Sequence, residues 1–254
     1  KTIHAACETI LSAGTVGSPH LLMLSGIGDR EALKEHGIVS AAHLPGVGAD
    51  LQDHVVAPLR FTSPGGVSIR RQLNMVGRLK LGIEWLLFKR GLGATNFFEV
   101  GAFFKSGETV PYFNMQHEFL PFLADFQSGK VTISDGFQYF VSQMRPYSRG
   151  RIALKSANPA VKPSIRFNYL TDRRDTLEMV DGIRKTLEMA HQPSWSRYRG
   201  QPVDTPGLKA SDSEIEAWLR TVANTEHHPT STCRMGVDDL AVTDSAGRVH
   251  GLEK

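Results

Sequence analysis

Apolar and polar positions change period several times along the chain, and each change predicts an element. The opening Lys1-Thr2-Ile3-His4-Ala5-Ala6-Cys7-Glu8-Thr9-Ile10-Leu11 reads as strand, part of an extended hairpin over residues 1–14. The apolar run Leu21-Leu22-Met23-Leu24 predicts a short helix, with Ser18 as N-cap, Pro19 at the first helical position and Ser25-Gly26-Ile27-Gly28 as the stop. A polar amphipathic helix over 29–36 is closed by Gly37. The apolar Val55–Thr62 stretch predicts a strand, followed by a Pro-Gly-Gly turn and a helix near 73–88. In that helix Leu79, Ile83, Leu86 and Leu87 share a face while Arg78, Lys80 and Lys89 stay in water. A glycine-rich turn at 91–94 then leads into an aromatic strand, where alternation places Phe97 and Glu99 on one face and Phe98 on the other. Further strands are predicted over 114–123, 137–144, 151–155 and 164–167, a succession that indicates an antiparallel sheet. The helical period returns over 172–191 through Leu177, Val180, Ile183, Arg184 and Leu187, and Pro193 ends it. Ser211-Asp212-Ser213-Glu214 caps a shorter helix reaching Val222.

These elements make an α/β fold with α+β character. Composition agrees with a globular chain: 254 residues, 41% hydrophobic and 22% charged. A net charge of +3, with scattered Lys and Arg, argues against a nucleic-acid surface. Cys7 and Cys233 are too few for a disulfide framework, which favours a reducing, cytoplasmic setting. No apolar run approaches a membrane span, and the N-terminus carries no signal-peptide pattern. The chain opens without Met and stops at Gly251-Leu252-Glu253-Lys254 with no closing element, so it reads as an interior piece of a longer protein.

Chemistry concentrates in His227-His228-Pro229-Thr230-Ser231-Thr232-Cys233-Arg234-Met235-Gly236. Pro229 fixes its own φ and drives His228 away from helical geometry, so this is a shaped loop holding an imidazole. Imidazole suits proton transfer near neutral pH. The same residues allow a zinc site at His227, His228 and Cys233, although a fourth ligand at ordinary spacing is lacking. They also allow a buried histidine bonded to backbone. At Gly14-Thr15-Val16-Gly17-Ser18-Pro19 a glycine turn meets a helix start, where backbone N–H groups can receive a phosphate or a cofactor edge, or form a plain connection. Asp53-His54 looks like a dyad, but adjacent side chains rarely face one another.

The loop resembles the active-site histidine segment, His-Pro-x-Gly/Ser-Thr-x-x-Met-Gly, of the glucose–methanol–choline (GMC) flavin oxidoreductases. Gly14 to Gly28 is similar to that family's second signature, and Pro45-Gly46-Val47-Gly48-Ala49-Asp50-Leu51-Gln52-Asp53-His54 to its Pro-Gly-Val-Gly-x-Asn-Leu-Gln-Asp-His segment, with Asp50 in place of Asn. Pieces such as Gly91-Leu92-Gly93-Ala94-Thr95-Asn96, Phe119-Leu120-Pro121 and Phe167-Asn168-Tyr169 are most similar to the bacterial choline dehydrogenases within it. The resemblance implies part of an FAD-binding Rossmann-like domain over 1–57, a substrate domain with an antiparallel sheet and helices over 58–220, and a return to the FAD domain over 221–254. It implies FAD as cofactor and hydride-transfer oxidation of a primary alcohol, choline to betaine aldehyde first, with uncharged primary alcohols as the alternative. His228 is then the catalytic base or the alkoxide's partner. Gly14, Ser18, Pro19, Asp50, Asp53 and His54 would lie at the cofactor; Glu99 and His227 at the substrate; no metal is implied. A trimethylammonium head would suit Phe97, Phe98 and Glu99. The electron acceptor would be oxygen or a respiratory quinone chain, with peripheral attachment to the inner membrane. The Gly-x-Gly-x-x-Gly unit that holds the FAD diphosphate is absent, so the isolated chain is expected to bind FAD weakly or not at all, as an inert fragment.

Overall fold

A computed structural model of the protein describes residues 4–64, 68–125 and 132–252. In chain order they form α1 (Gly14–Leu24), β1 (Ile27–Gly28), α2 (Arg30–Glu35), β2 (Ala42–His43), β3 (Val55–Thr62) and α3 (Met75–Phe88). Next come β4 (Val100–Phe104), β5 (Met115–Leu120), β6 (Leu123–Asp125), β7 (Thr132–Ser134) and β8 (Gly136–Gln143). The remainder holds β9 (Arg151–Ala153), β10 (Ser164–Arg166), α4 (Arg173–Ala190), β11 (Pro202–Val203), α5 (Asp212–Val222) and β12 (Asn224–Thr225). The chain divides into two units: the first takes residues up to Asp53, Pro146–Thr171 and those from His227 onward, and the second takes His54–Arg145 and Asp172–Glu226.

The first unit is built on one apolar cluster. Leu22 and Met23 of α1, Ile27, Leu33 of α2, Val47, Leu51, Ile152, Leu154 and Val242 pack together, with Cys233 and Phe167 against them. Burying each such aliphatic side chain contributes about 2 kcal/mol. α2 forms because Asp29 caps it, accepting the N–H of Ala32 at 2.9 Å, and it ends at Gly37 with φ +71°. The predicted strand at the start is not formed: residues 4–13 are exposed and pair with no strand among the described residues, and residues 1–3 lie outside them. Extended backbone becomes a strand only when a ladder partner satisfies its amides. The predicted α1 boundary also moves. The helix begins at Gly14, behind Ala13, so Pro19 sits inside it rather than at its first position. β9 and β10, expected as further strands of the antiparallel sheet, pair only with each other in this first unit.

The second unit is an antiparallel sheet in the order β11-β3-β8-β5-β4, with β12 also on β3. β3 meets β8 over its whole length, from Val55 opposite Gln143 to Thr62 opposite Gly136. Alternation puts Leu59, Phe61, Tyr139, Val141, Met115 and His117 on one face. α4 packs on that face and buries Met179, Val180, Ile183, Thr186, Leu187 and Ala190, while Leu177, expected among them, is half exposed. α5 starts with the expected capping box: Ser211 receives the amide of Glu214, and Glu214 receives that of Ser211. The Pro-Gly-Gly turn falls on Pro64 and on residues outside the described set. α3 forms where its period predicts, between the Asn74 cap and Lys89 in the left-handed region, yet Leu79, Ile83, Leu86 and Leu87 are all exposed. Its apolar period names a face, not a neighbour for that face. Among the described residues no helix is long and apolar enough to cross a membrane.

Candidate active site

The His227–Gly236 bend belongs to the first unit, and its backbone is held where L-residues rarely sit. His227 has φ +62° and Ser231 φ +76°, a cost of about 1 kcal/mol or more each that surrounding contacts must offset. Those contacts are specific. Gln52 and Thr230 exchange both backbone hydrogen bonds, at 3.1 and 2.9 Å. The His228 amide donates to Asp53 Oδ1 at 3.0 Å. The Thr15 hydroxyl donates to the Pro229 carbonyl at 2.8 Å, and the Thr232 hydroxyl donates to the Thr15 carbonyl at 2.5 Å. Gly48 donates its amide to the Thr232 carbonyl at 2.8 Å. A side chain at Gly48 would put its Cβ 2.3 Å from the Ile152 carbonyl, and its φ of +79° favours glycine.

The Thr15–Thr232 bond has its origin in Pro19. In an unbroken helix the amide of residue 19 would bond the carbonyl of residue 15. Proline has no N–H, so that acceptor is left for the Thr232 hydroxyl, and a helix-breaking residue becomes the docking point of the loop. Ser18 takes part locally, its Oγ accepting the Ala13 amide at 3.2 Å.

His227 and His228 are both exposed, so neither is the buried histidine that the residues alone allow. A solvent-reachable imidazole on a pinned bend can take a proton from a bound hydroxyl. Cys233 packs against the apolar cluster, and burial pushes its thiol up to about 11, which disfavours the thiolate at neutral pH.

Asp53 and His54 take different partners, as expected for neighbours in sequence. Asp53 is only 5% exposed and accepts from the Tyr169 hydroxyl at 2.5 Å as well as from His228. His54 belongs to the second unit, where Nδ1 lies 3.2 Å from Glu226 Oε2 and the other oxygen of Glu226 accepts from Ser142 at 2.5 Å. Asp50 has φ +57°, and its carboxylate lies 3.0 Å from Arg149 Nε and 3.4 Å from Arg234 Nε. Its extra charge relative to the Asn expected there is therefore countered locally. Arg149 is thus an ion-pair and carbonyl-binding residue, also donating to the Pro146 oxygen at 2.6 Å, while Arg145 lies over the Tyr112 ring at 4.8 Å.

In the second unit His117 and Glu118 point to opposite faces. His117 Nε2 is 2.6 Å from the Thr186 hydroxyl under α4, and burial lowers its pKa to about 4. Glu118 accepts from Gln116 at 2.7 Å on the other face. The predicted alternation at Phe97 fails: its φ is +67°, so it is not extended, and it packs edge-on to Phe122 at 5.5 Å. Phe98 lies 5.9 Å from Phe140, and Glu99 is exposed just before β4.

The first unit thus gathers His227, His228, Asp53, Asp50, Gly14, Ser18 and Pro19, while His54 and Glu99 belong to the second. Sequence reasoning missed Thr15, Thr232, Tyr169 and Glu226 as builders of these sites. Pro19 was the available signal for the first two, since it announces a vacant carbonyl four residues earlier. Nothing local distinguishes Tyr169 or Glu226, because their partners lie 116 and 172 residues away.

The chain is similar to known proteins over nearly all of its length. Two profiles, both described as GMC oxidoreductase, match residues 1–56 and 146–254, together well over half of the chain. The chain is 41% identical over 252 residues to an oxygen-dependent choline dehydrogenase of Burkholderia multivorans, covering 99% of this chain and 44% of that protein. It therefore spans less than half the length of that relative. Its fold is similar to a formate oxidase variant of Aspergillus oryzae RIB40 (TM-score 0.88, 24% identity, 98% of this chain and 48% of the other). It is also similar to an FAD-dependent oxidoreductase of Chaetomium thermophilum (TM-score 0.81, 21% identity, 99% and 50%). With both of these stretches matched, the chain belongs to the GMC oxidoreductase family.

Proposed function

We propose that the whole protein is an FAD-dependent oxidoreductase that converts a primary alcohol to its aldehyde, with choline, giving betaine aldehyde, as the first candidate substrate. The observation that carries the proposal is His228, an exposed imidazole on a bend whose amide is bonded to a buried carboxylate and whose following residues are tied to α1. Choline draws support from the 41% identity to a choline dehydrogenase over nearly the whole chain. Uncharged primary alcohols are the alternative.

The residues present fit FAD. α1 starts behind Ala13 with no side-chain cap and no acid in its first turn, and a Cβ on Gly14 would meet nothing within 4 Å. Uncapped amides at the positive end of a helix beside open space suit a flavin carbonyl or a phosphate. Gly14, Ser18 and Pro19 on this helix, with Asp50 and Asp53, are the residues proposed to hold it, and His54 follows them in the chain.

FAD, when bound, accepts the two electrons that leave the alcohol. A neutral alcohol that loses hydride is left with positive charge on carbon; an alkoxide loses hydride far more readily. The task of this chain is therefore to hold the hydroxyl proton, and an imidazole nitrogen of His228 takes it or donates a hydrogen bond to the alkoxide. His227 and Glu99 are proposed to contact the substrate, the carboxylate suiting a cationic head. Beyond the flavin, oxygen or a respiratory quinone chain receives the electrons.

The test is a substrate panel on the whole protein, choline against aliphatic alcohols of similar size, with wild type and His228→Ala. His228→Ala is expected to lower kcat/KM by about 100-fold or more while the flavin absorbance stays. Failure of the wild type to oxidise any alcohol, or full turnover by the variant, rejects the proposal.

A further inference from the structure

Asn168 and Leu170 lie at φ +56° and +57°, on either side of Tyr169. For leucine this region is a strained one, costing about 1 kcal/mol or more. The distorted turn is secured on several sides: the Asn168 side-chain Nδ2 donates to the Arg149 carbonyl at 2.9 Å, the Thr171 hydroxyl to the Asn168 carbonyl at 2.8 Å, and the Thr171 backbone amide to Ser148 Oγ at 3.1 Å. The result is that the Tyr169 ring stacks flat on Phe167, 4.9 Å between centroids and 4° between planes, and its hydroxyl meets Asp53 Oδ2 at 2.5 Å. The other carboxylate oxygen, Oδ1, receives the His228 amide at 3.0 Å.

We infer that Tyr169 and Asp53 are positioning residues for His228, an assignment that rests on the alcohol-oxidising function proposed above. The phenol fixes the rotation of the Asp53 carboxylate. The carboxylate in turn fixes the peptide plane between His227, at φ +62°, and His228. That plane sets the direction in which the imidazole leaves the backbone. Each Asp53 oxygen holds one of these bonds and the side chain is buried, so water competes poorly for them. Neither residue handles the proton; an ångström of misplacement of the group that does is enough to cost about 100-fold in rate. The strain at Asn168 and Leu170 is the local cost of bringing one hydroxyl to that carboxylate.

Tyr169→Phe removes the hydroxyl and keeps the ring on Phe167. In the FAD-loaded whole protein it is expected to lower kcat about tenfold for the best alcohol of the panel, with KM changed by less than about twofold. Amide hydrogen exchange over residues 227–230 is expected to speed up, while exchange in β3 and β8 stays as in the wild type. Para-aminophenylalanine at position 169 keeps a donor on the same ring and is expected to restore both kcat and protection. Wild-type kcat with unchanged exchange in Tyr169→Phe overturns the inference. If Tyr169→Phe does not fold, the aminophenylalanine variant decides alone: wild-type protection over 227–230 supports the inference, and lost protection there in a folded protein overturns it. A wild type inactive on every alcohol rejects the proposed function, yet the exchange measurement still decides whether Tyr169 positions the bend.

Discussion

Pro19, Thr15 and Thr232 show how one missing amide shapes the bend. Proline inside a helix ordinarily costs about 3 kcal/mol, partly through the carbonyl it leaves unpaired. Here Thr232, a residue 2% exposed, takes that carbonyl with its hydroxyl. Thr232→Val should leave it unsatisfied and cost about 1–3 kcal/mol. Adding Pro19→Ala restores an amide at residue 19 and should recover part of the loss, because the helix then bonds its own Thr15 carbonyl. Urea denaturation of both variants checks this, and strictly additive or worsening effects would count against it. Both residues are plain in the sequence. Their relation is not, because Thr232 is 217 residues from Thr15 and only the fold brings them together.

At the scale of elements, β5 and α4 share a titrating contact. His117 is 7% exposed against Thr186, Phe104 lies 4.3 Å from its ring, and burial holds its pKa at about 4 against an ordinary 6.5. A depressed histidine pKa means that the unfolded chain takes up the proton first as pH falls. The stabilisation is therefore complete above pH 6.5 and declines as pH falls from there towards 4, by up to roughly 3 kcal/mol. His117→Gln should flatten this part of the curve, read as urea midpoints between pH 7 and 4.5; an equal decline in both proteins would refute the assignment. The strand expected over 114–123 is formed in its central part, and there His117 and Glu118 take opposite faces, since period two follows from extended backbone. The same rule misplaced Phe97, because a residue at φ +67° leaves the strand and the alternation restarts after it. α3 is a comparable case: its period identifies the helix, while the exposure of Leu79, Ile83, Leu86 and Leu87 depends on what lies beside it.

At the scale of the molecule, the chain passes from the first unit to the second and back twice. Residues 146–171 return to the first unit, bringing Arg149 to Asp50 and Tyr169 to Asp53. The chain spans 44% of the length of its choline dehydrogenase relative and has no Gly-x-Gly-x-x-Gly. We therefore expect the isolated 254 residues to bind FAD weakly or not at all. Titration with FAD, followed by flavin absorbance after desalting, tests this; stoichiometric retention would refute it.

Local chemistry in the sequence determined the caps of α2 and α5, the span of β3, the proline-stiffened bend and the family. Each depends on residues within a few positions of one another, where backbone sterics and side-chain hydrogen bonds act without the rest of the fold. Tertiary structure alone decided that Thr232 answers Pro19, that Asp53 rather than an adjacent group holds the His228 amide, and that Tyr169 steadies Asp53. Those pairings join residues more than a hundred positions apart, and a buried carboxylate accepts from whichever donors the packing delivers to it.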